Sequence, residues 1–90
     1  MSINIVMYTK NICPYCAMAK HLLDEKELSF TEKNAEHADI FEEMMLKSEG
    51  RRTVPQIFIN DKPIGGFDDL NALNRSGELD RLIKEAGFSS

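Results

Sequence analysis

The chain has no tryptophan, two tyrosines, three prolines and only two cysteines in 90 residues. Two cysteines cannot build the multi-disulfide framework of a small secreted domain. No apolar run approaches the roughly 20 residues that a membrane-spanning helix needs, so no membrane association is expected. The opening Met1-Ser2-Ile3-Asn4 carries no basic segment followed by an apolar stretch. That predicts no secretory signal and a cytoplasmic location. Basic excess is missing too. A net charge of −4 argues against a nucleic-acid partner, which needs a basic face against the phosphates. Repeats, low-complexity tracts and linkers are absent, so a single domain over residues 1–90 is expected.

What is present reads as alternating elements. Ile3 to Tyr8 is a short apolar run with the character of a buried strand. Pro14 suits the first position of a helix, and Cys16, Ala19, Leu22 and Leu23 follow at helical spacing to about Lys26. Ser29 to Lys33 reads as a second strand. Ala38, Phe41, Met44, Met45 and Ser48 mark a second helix, ended by Gly50. Val54 to Ile59 is a third strand, and Asn60-Asp61 has the chemistry of a hairpin turn. Lys62 to Ile64 follows as an edge strand, because Pro63 cannot donate to a ladder. Asp68 is placed to cap a short helix carrying Leu70 and Leu73. Leu79, Leu82, Ile83 and Ala86 form a last amphipathic stripe. The order predicts an α/β fold: a four-stranded mixed sheet with helices on both faces.

The two cysteines stand together as Cys13-Pro14-Tyr15-Cys16, between the first strand and the first helix. A thiolate at a helix N-terminus is stabilised by free backbone N–H groups and by the helix dipole. That lowers its pKa and makes it a nucleophile near neutral pH. Cys13, as the N-cap, is therefore the expected attacking thiol. Cys16, one turn in and facing the body of the domain, is the expected second thiol. A zinc reading would need four ligands. His21 and His37 match no zinc spacing, so both read as surface residues and no metal is expected.

Two further stretches are informative. In Thr53-Val54-Pro55, the proline forces Val54 toward an extended conformation. A cis Val54–Pro55 bond would leave the Val54 backbone groups to hold an extended thiol substrate. A trans bond would merely start a strand, and the local sequence allows both. Gly65-Gly66-Phe67-Asp68-Asp69 sets two glycines before a helix start, where free N–H groups bind carboxylates. Lys10 and Lys20 flank the cysteines, and Arg51-Arg52 precede Thr53. Each reads alone as a solvated surface charge, yet together they would make one positive site on an acidic protein.

Tyr8-Thr9-Lys10 ahead of the Cys-Pro-Tyr-Cys motif, then Thr53 to Ile59, then Gly65-Gly66-x-Asp-Asp resemble a dithiol glutaredoxin of the short bacterial type. The likeness covers nearly the whole chain. It implies a thioredoxin-like fold with Pro55 cis, and glutathione as electron donor and co-substrate without a tightly bound cofactor. It makes Cys13 the thiol that becomes glutathionylated and Cys16 the resolving thiol. Lys10 and Tyr15 would flank the bound glutathione. Thr53, Val54 and Pro55 would hold its cysteinyl backbone, and Gly66, Phe67 and Asp68 its γ-glutamyl end. Arg52 would meet its glycine carboxylate. Phe67 departs from the family, which usually has a small Cys or Ser there. The implied partners are glutathione and disulfide-containing or glutathionylated proteins, and a monomer is expected. Two other readings compete: a glutathione-assisted [2Fe–2S] scaffold, and a redoxin served by thioredoxin reductase.

Overall fold

Strand β1 (Ile5–Thr9) lies inside the sheet, and four of its five residues are buried. The computed structural model describes residues 3–85. Strand β2 (Thr31–Asn34) runs parallel to β1 on one side, and β3 (Gln56–Ile59) runs antiparallel on the other. Strand β4 (Lys62–Gly65) completes the order β2-β1-β3-β4. The middle strands are apolar on both faces, whereas β2 is Thr-Glu-Lys-Asn and sits at an edge. Pro63 lies on the opposite edge strand, where a missing donor is tolerated. Asn60 and Asp61 both take positive φ, +50° and +66°, as a two-residue hairpin turn of the primed kind requires.

The helices are α1 (Pro14–Glu25), α2 (Ala38–Lys47), α3 (Phe67–Ser76) and α4 (Glu78–Glu85). Side chains alternate across a strand, so the sheet builds two cores. Ile5, Met7, Ile57 and Ile59 pack with Ala19 and Leu23 of α1, Leu70 of α3 and Leu79 and Ile83 of α4. Tyr8 and Phe58 point the other way and pack with Met44, Ile40 and Phe41 of α2. The expected mixed sheet with helices on both faces is thus the observed architecture.

Element ends differ from expectation where backbone groups find other partners. Ile3 and Asn4 stay outside β1, because Asn4 is tied to the hairpin turn. The Asn4 N–H donates to Asn60 Oδ1 at 2.9 Å, and the Asn60 N–H donates to Asn4 O at 2.7 Å. β3 begins only after Pro55, which has no N–H to offer. β2 starts at Thr31 rather than Ser29. After α2, Glu49 already enters the left-handed region at φ +61°, and the Gly50 N–H then closes on Met45 O at 2.7 Å. α1 ends the same way, with Glu27 left-handed and the Leu28 N–H on Leu23 O at 3.0 Å. Ala86 of the last stripe lies outside the described residues. Among those described, no helix is long and apolar enough to cross a membrane.

Candidate active site

Cys13 adopts extended backbone angles (φ −151°, ψ 98°) and caps α1, with Pro14 in the first turn. The Cys16 N–H donates to Cys13 Sγ at 3.1 Å, so the sulfur occupies the place of a capping oxygen. The two sulfurs are joined as a disulfide, with the Cα atoms 5.2 Å apart. Cys13 is half-buried, while Cys16 is only 2% exposed. An approaching reagent therefore meets Cys13 first. The first turn of α1 carries no acidic residue that would oppose a negative sulfur.

The loop before Cys13 is held by side chains from other elements. Glu36 accepts from the Asn11 N–H at 2.9 Å and from Asn11 Nδ2 at 3.0 Å. Asn34 Nδ2 donates to Asn11 Oδ1 at 2.7 Å. At the end of β1, buried Thr9 donates to Glu32, which also pairs with Lys20 of α1 at 2.6 Å. The Lys20 ammonium, with the Thr9 hydroxyl behind it, holds the Glu32 carboxyl below its ordinary range. Lys20 thus braces α1 against β2. Lys10 stands exposed at the start of the cysteine loop.

Across from the disulfide, the Val54–Pro55 bond is cis. Val54 O lies 4.0 Å from Cys13 Sγ. Buried Gln56 reaches back and donates to Thr53 Oγ1 at 3.2 Å, which orients the Thr53 side chain. Ser48 Oγ, after α2, accepts from the Arg51 N–H at 3.1 Å and donates to Arg51 O at 3.2 Å. The segment 51–55 is therefore pinned at both ends.

The third wall is the start of α3. Gly66 is the N-cap, and its N–H donates to Asp69 Oδ2 at 3.1 Å. The expectation that Asp68 caps this helix is corrected: the helix starts earlier, at Phe67, and Asp69 closes the cap from inside the first turn. Gly65 has φ +115°, and a Cβ there would collide with the Asp69 carboxylate and lie 2.9 Å from the Arg51 guanidinium. Only glycine fits that position.

Together these walls enclose an open cleft of about 250 Å³. Tyr15 lines it from α1, Thr53 to Pro55 from the cis-proline segment, and Gly66 to Asp68 from α3. Seven of the residues singled out in the sequence therefore share one cleft. Gln56 and Asp69 line it as well, and so does Arg51, which the sequence suggested only as part of a positive cluster, without a role of its own. Lys10 and Arg52 are exposed and are not among its lining residues. The Tyr15 and Phe67 rings lie beside each other, centroids 6.5 Å apart and tilted by 30°.

Other titratable groups are occupied elsewhere. On the far face of the sheet, the buried Tyr8 hydroxyl donates to Glu43, and Lys33 Nζ reaches the same carboxylate at 2.7 Å. Burial, then the Glu43 carboxylate, pushes the Tyr8 phenol far up. Lys33, then Tyr8, holds Glu43 down. His21 pairs with Glu25 at 3.4 Å on the surface of α1. His37 precedes α2 without a side-chain cap bond. Among the described residues, no three His, Cys, Asp or Glu side chains are grouped to hold a metal ion.

Known proteins share this arrangement. A family profile described as Glutaredoxin matches residues 5–64. Glutaredoxin 3 of Escherichia coli is 51% identical over 81 residues, covering 90% of this chain and 98% of that protein. A glutaredoxin of Pseudomonas aeruginosa is 42% identical over 79 residues, covering 88% and 94%. The solution structure of a Brucella melitensis glutaredoxin matches with a TM-score of 0.79 at 44% identity, over 92% of this chain and 90% of that one. A buckwheat glutaredoxin crystallised as a glutathione complex matches at 0.81 and 30% identity, over 96% and 81%. With its thioredoxin-like sheet and its paired cysteines at the head of α1, the chain belongs to the glutaredoxin family, as a dithiol member.

Proposed function

We propose that the chain is a glutathione-dependent thiol–disulfide oxidoreductase acting on glutathione mixed disulfides and protein disulfides. The observation that carries this reading is Cys13 at the N-cap of α1, bonded to buried Cys16 and 4.0 Å from the oxygen of Val54, which lines the cleft. Reduced, the Cys13 sulfur keeps the Cys16 N–H and the helix dipole, which favour the thiolate. The gain is bounded, because a thiol of lower pKa is also a weaker nucleophile.

The Cys13 thiolate attacks the glutathionyl sulfur of a mixed disulfide. A bond forms from Cys13 Sγ to that sulfur, the old S–S bond breaks, and the client leaves as a thiolate that takes a proton. A second glutathione thiolate attacks the same glutathionyl sulfur, freeing Cys13 and forming oxidised glutathione. For a protein disulfide, Cys13 first bonds to one client sulfur. The Cys16 thiolate then attacks Cys13 Sγ and releases the client with two thiols. The product is the Cys13–Cys16 disulfide, which two glutathione molecules reduce.

Glutathione fits the cleft as an extended peptide with two carboxylates and one amine. Thr53, Val54 and Pro55 hold its cysteinyl backbone. Gly66 and Phe67 offer the N-terminal donors of α3 to its γ-glutamyl carboxylate, and Asp68 accepts from its amine. Tyr15 covers the sulfur. Arg51 joins Lys10 and Arg52 as a cation for the glycine carboxylate, since it alone of the three lines the cleft. The cytoplasm, with its glutathione pool, is the compartment this chemistry suits. The test is a steady-state reduction of cysteine–glutathione mixed disulfide with either glutathione plus glutathione reductase or thioredoxin reductase as donor. Turnover with glutathione is expected. Turnover with thioredoxin reductase alone overturns the donor assignment.

A further inference from the structure

A second depression, of about 400 Å³, runs between α1 and α3 and meets the cleft at Phe67, which lines both. α1 contributes Met18 and Leu22 together with the paired His21 and Glu25, and α3 contributes Phe67, Asn71 and Asn74. Met18, Leu22 and Glu25 on α1, like Phe67, Asn71 and Asn74 on α3, fall three or four residues apart, so each helix presents one continuous stripe. Leu22 is buried and belongs to the main core, so the floor is fixed. Met18 is 48% exposed on the wall, and beside it Tyr15 is 59% and Ile12 94% exposed. Of the four large apolar side chains exposed among the described residues, three stand together around Cys13 and only Leu46 lies elsewhere, a clustering characteristic of interaction sites.

Turnover brings two different groups to this site. One is the glutathionyl moiety, which the reading above places in the cleft of Thr53 to Pro55. The other is the client polypeptide. Its sulfur lies in line beyond the glutathionyl sulfur in a mixed disulfide and bonds to Cys13 directly on the protein-disulfide route. In both cases its chain needs a surface outside the glutathione cleft. Toward Asn11 the way is polar and tied up by Glu36 and Asn34. Toward α1 and α3 it is mainly apolar, with the His21–Glu25 pair to one side, and it joins the cleft at Phe67. The groove also holds the side chains a variable client needs. Met18 is unbranched and adapts to differing shapes. Asn71 and Asn74 are half-buried and present carboxamides that both donate to and accept from an extended main chain.

We propose that the α1–α3 groove docks the client. Its occupant is the extended segment adjoining the client's reactive cysteine, with an apolar side chain seated over Leu22 between Met18 and Phe67. The inference rests on the oxidoreductase reading above.

The test compares three glutathione mixed disulfides: that of free cysteine, that of a hexapeptide with leucine two residues from its cysteine, and the same peptide with serine for leucine. The leucine peptide is expected to exceed the serine peptide in kcat/KM by about tenfold, the scale of an apolar contact in an open site. Met18→Glu is expected to erase that preference while turnover of cysteine–glutathione stays within about twofold of the parent. A preference that survives Met18→Glu overturns the proposal, as does an equal fall on all three substrates. A second measurement does not depend on glutathione. The leucine peptide is trapped on Cys13 in the Cys16→Ser protein, and amide shifts are mapped by NMR. Shifts at Met18, Asn71 and Asn74 support the groove, and shifts confined to residues 53–56 and 66–69 overturn it. If no substrate turns over with glutathione, the reading above falls, while the trapped complex still decides on the groove.

Discussion

α1 and α3 both begin at the cleft, one capped by the sulfur of Cys13 and the other by the carboxylate of Asp69. α1 has no acidic residue in its first turn, whereas α3 has both Asp68 and Asp69. The positive end of α1 is therefore left to act on the sulfur alone. The positive end of α3 is offset by fixed negative charge, which suits a ligand carrying a carboxylate and an amine side by side. Equivalent helix starts thus serve opposite ends of a reaction. In the proposed reading, one activates the attacking atom and the other receives the part of the substrate that does not react.

Substitutions at the two caps separate these roles. The largest effect is expected from Cys13→Ser. Serine caps a helix well, so under reducing conditions the melting temperature should match the parent within a few degrees. Activity on mixed and protein disulfides should fall at least about a thousandfold, because a serine hydroxyl is not ionised at neutral pH. Retained turnover would move the attacking role to Cys16. Next comes Cys16→Ser, which should keep reduction of glutathione mixed disulfides and lose most reduction of protein disulfides in parallel assays. Loss of both would show that Cys16 does more than resolve.

At the other cap, Gly65→Ala should cost about 1–3 kcal/mol in urea unfolding, since it forces a side chain into a left-handed position against Asp69. It should also raise the KM for glutathione by disturbing the Gly66 turn. An unchanged KM would detach α3 from glutathione binding. The smallest effect is expected from Asp69→Ala, about 1 kcal/mol for one lost cap bond, with Cys13 reactivity toward iodoacetamide unaltered. A changed alkylation rate would mean that the two helix starts are coupled.

The sequence made the reactive end of the site readable because its signals are local. A strand, two cysteines two residues apart and a proline at a helix start each constrain their own neighbourhood. The second cap was harder. Gly66 takes an extended conformation and starts α3 at Phe67, so Asp69 rather than Asp68 has the reach to cap it. Two adjacent aspartates give no local sign of which one does so. Arg51 and Arg52 pose the same problem. They sit in a stretch of no regular secondary structure, so no periodicity says which side chain turns toward the cleft. The phase is set by Ser48, which grips both backbone groups of Arg51 from the end of α2. The α1–α3 groove was hidden for a related reason. Its α1 stripe reads as part of an amphipathic helix until α3 is seen to cover only part of it.

The two margins of the sheet bear on how the protein behaves when crowded. One margin is a four-residue strand of Thr, Glu, Lys and Asn, and the other is a four-residue strand containing Pro63. A neighbouring chain in search of a β partner would find a short, charged ladder on one side and a short ladder with one amide proton too few on the other. Many copies can then share a small volume without zipping together edge to edge.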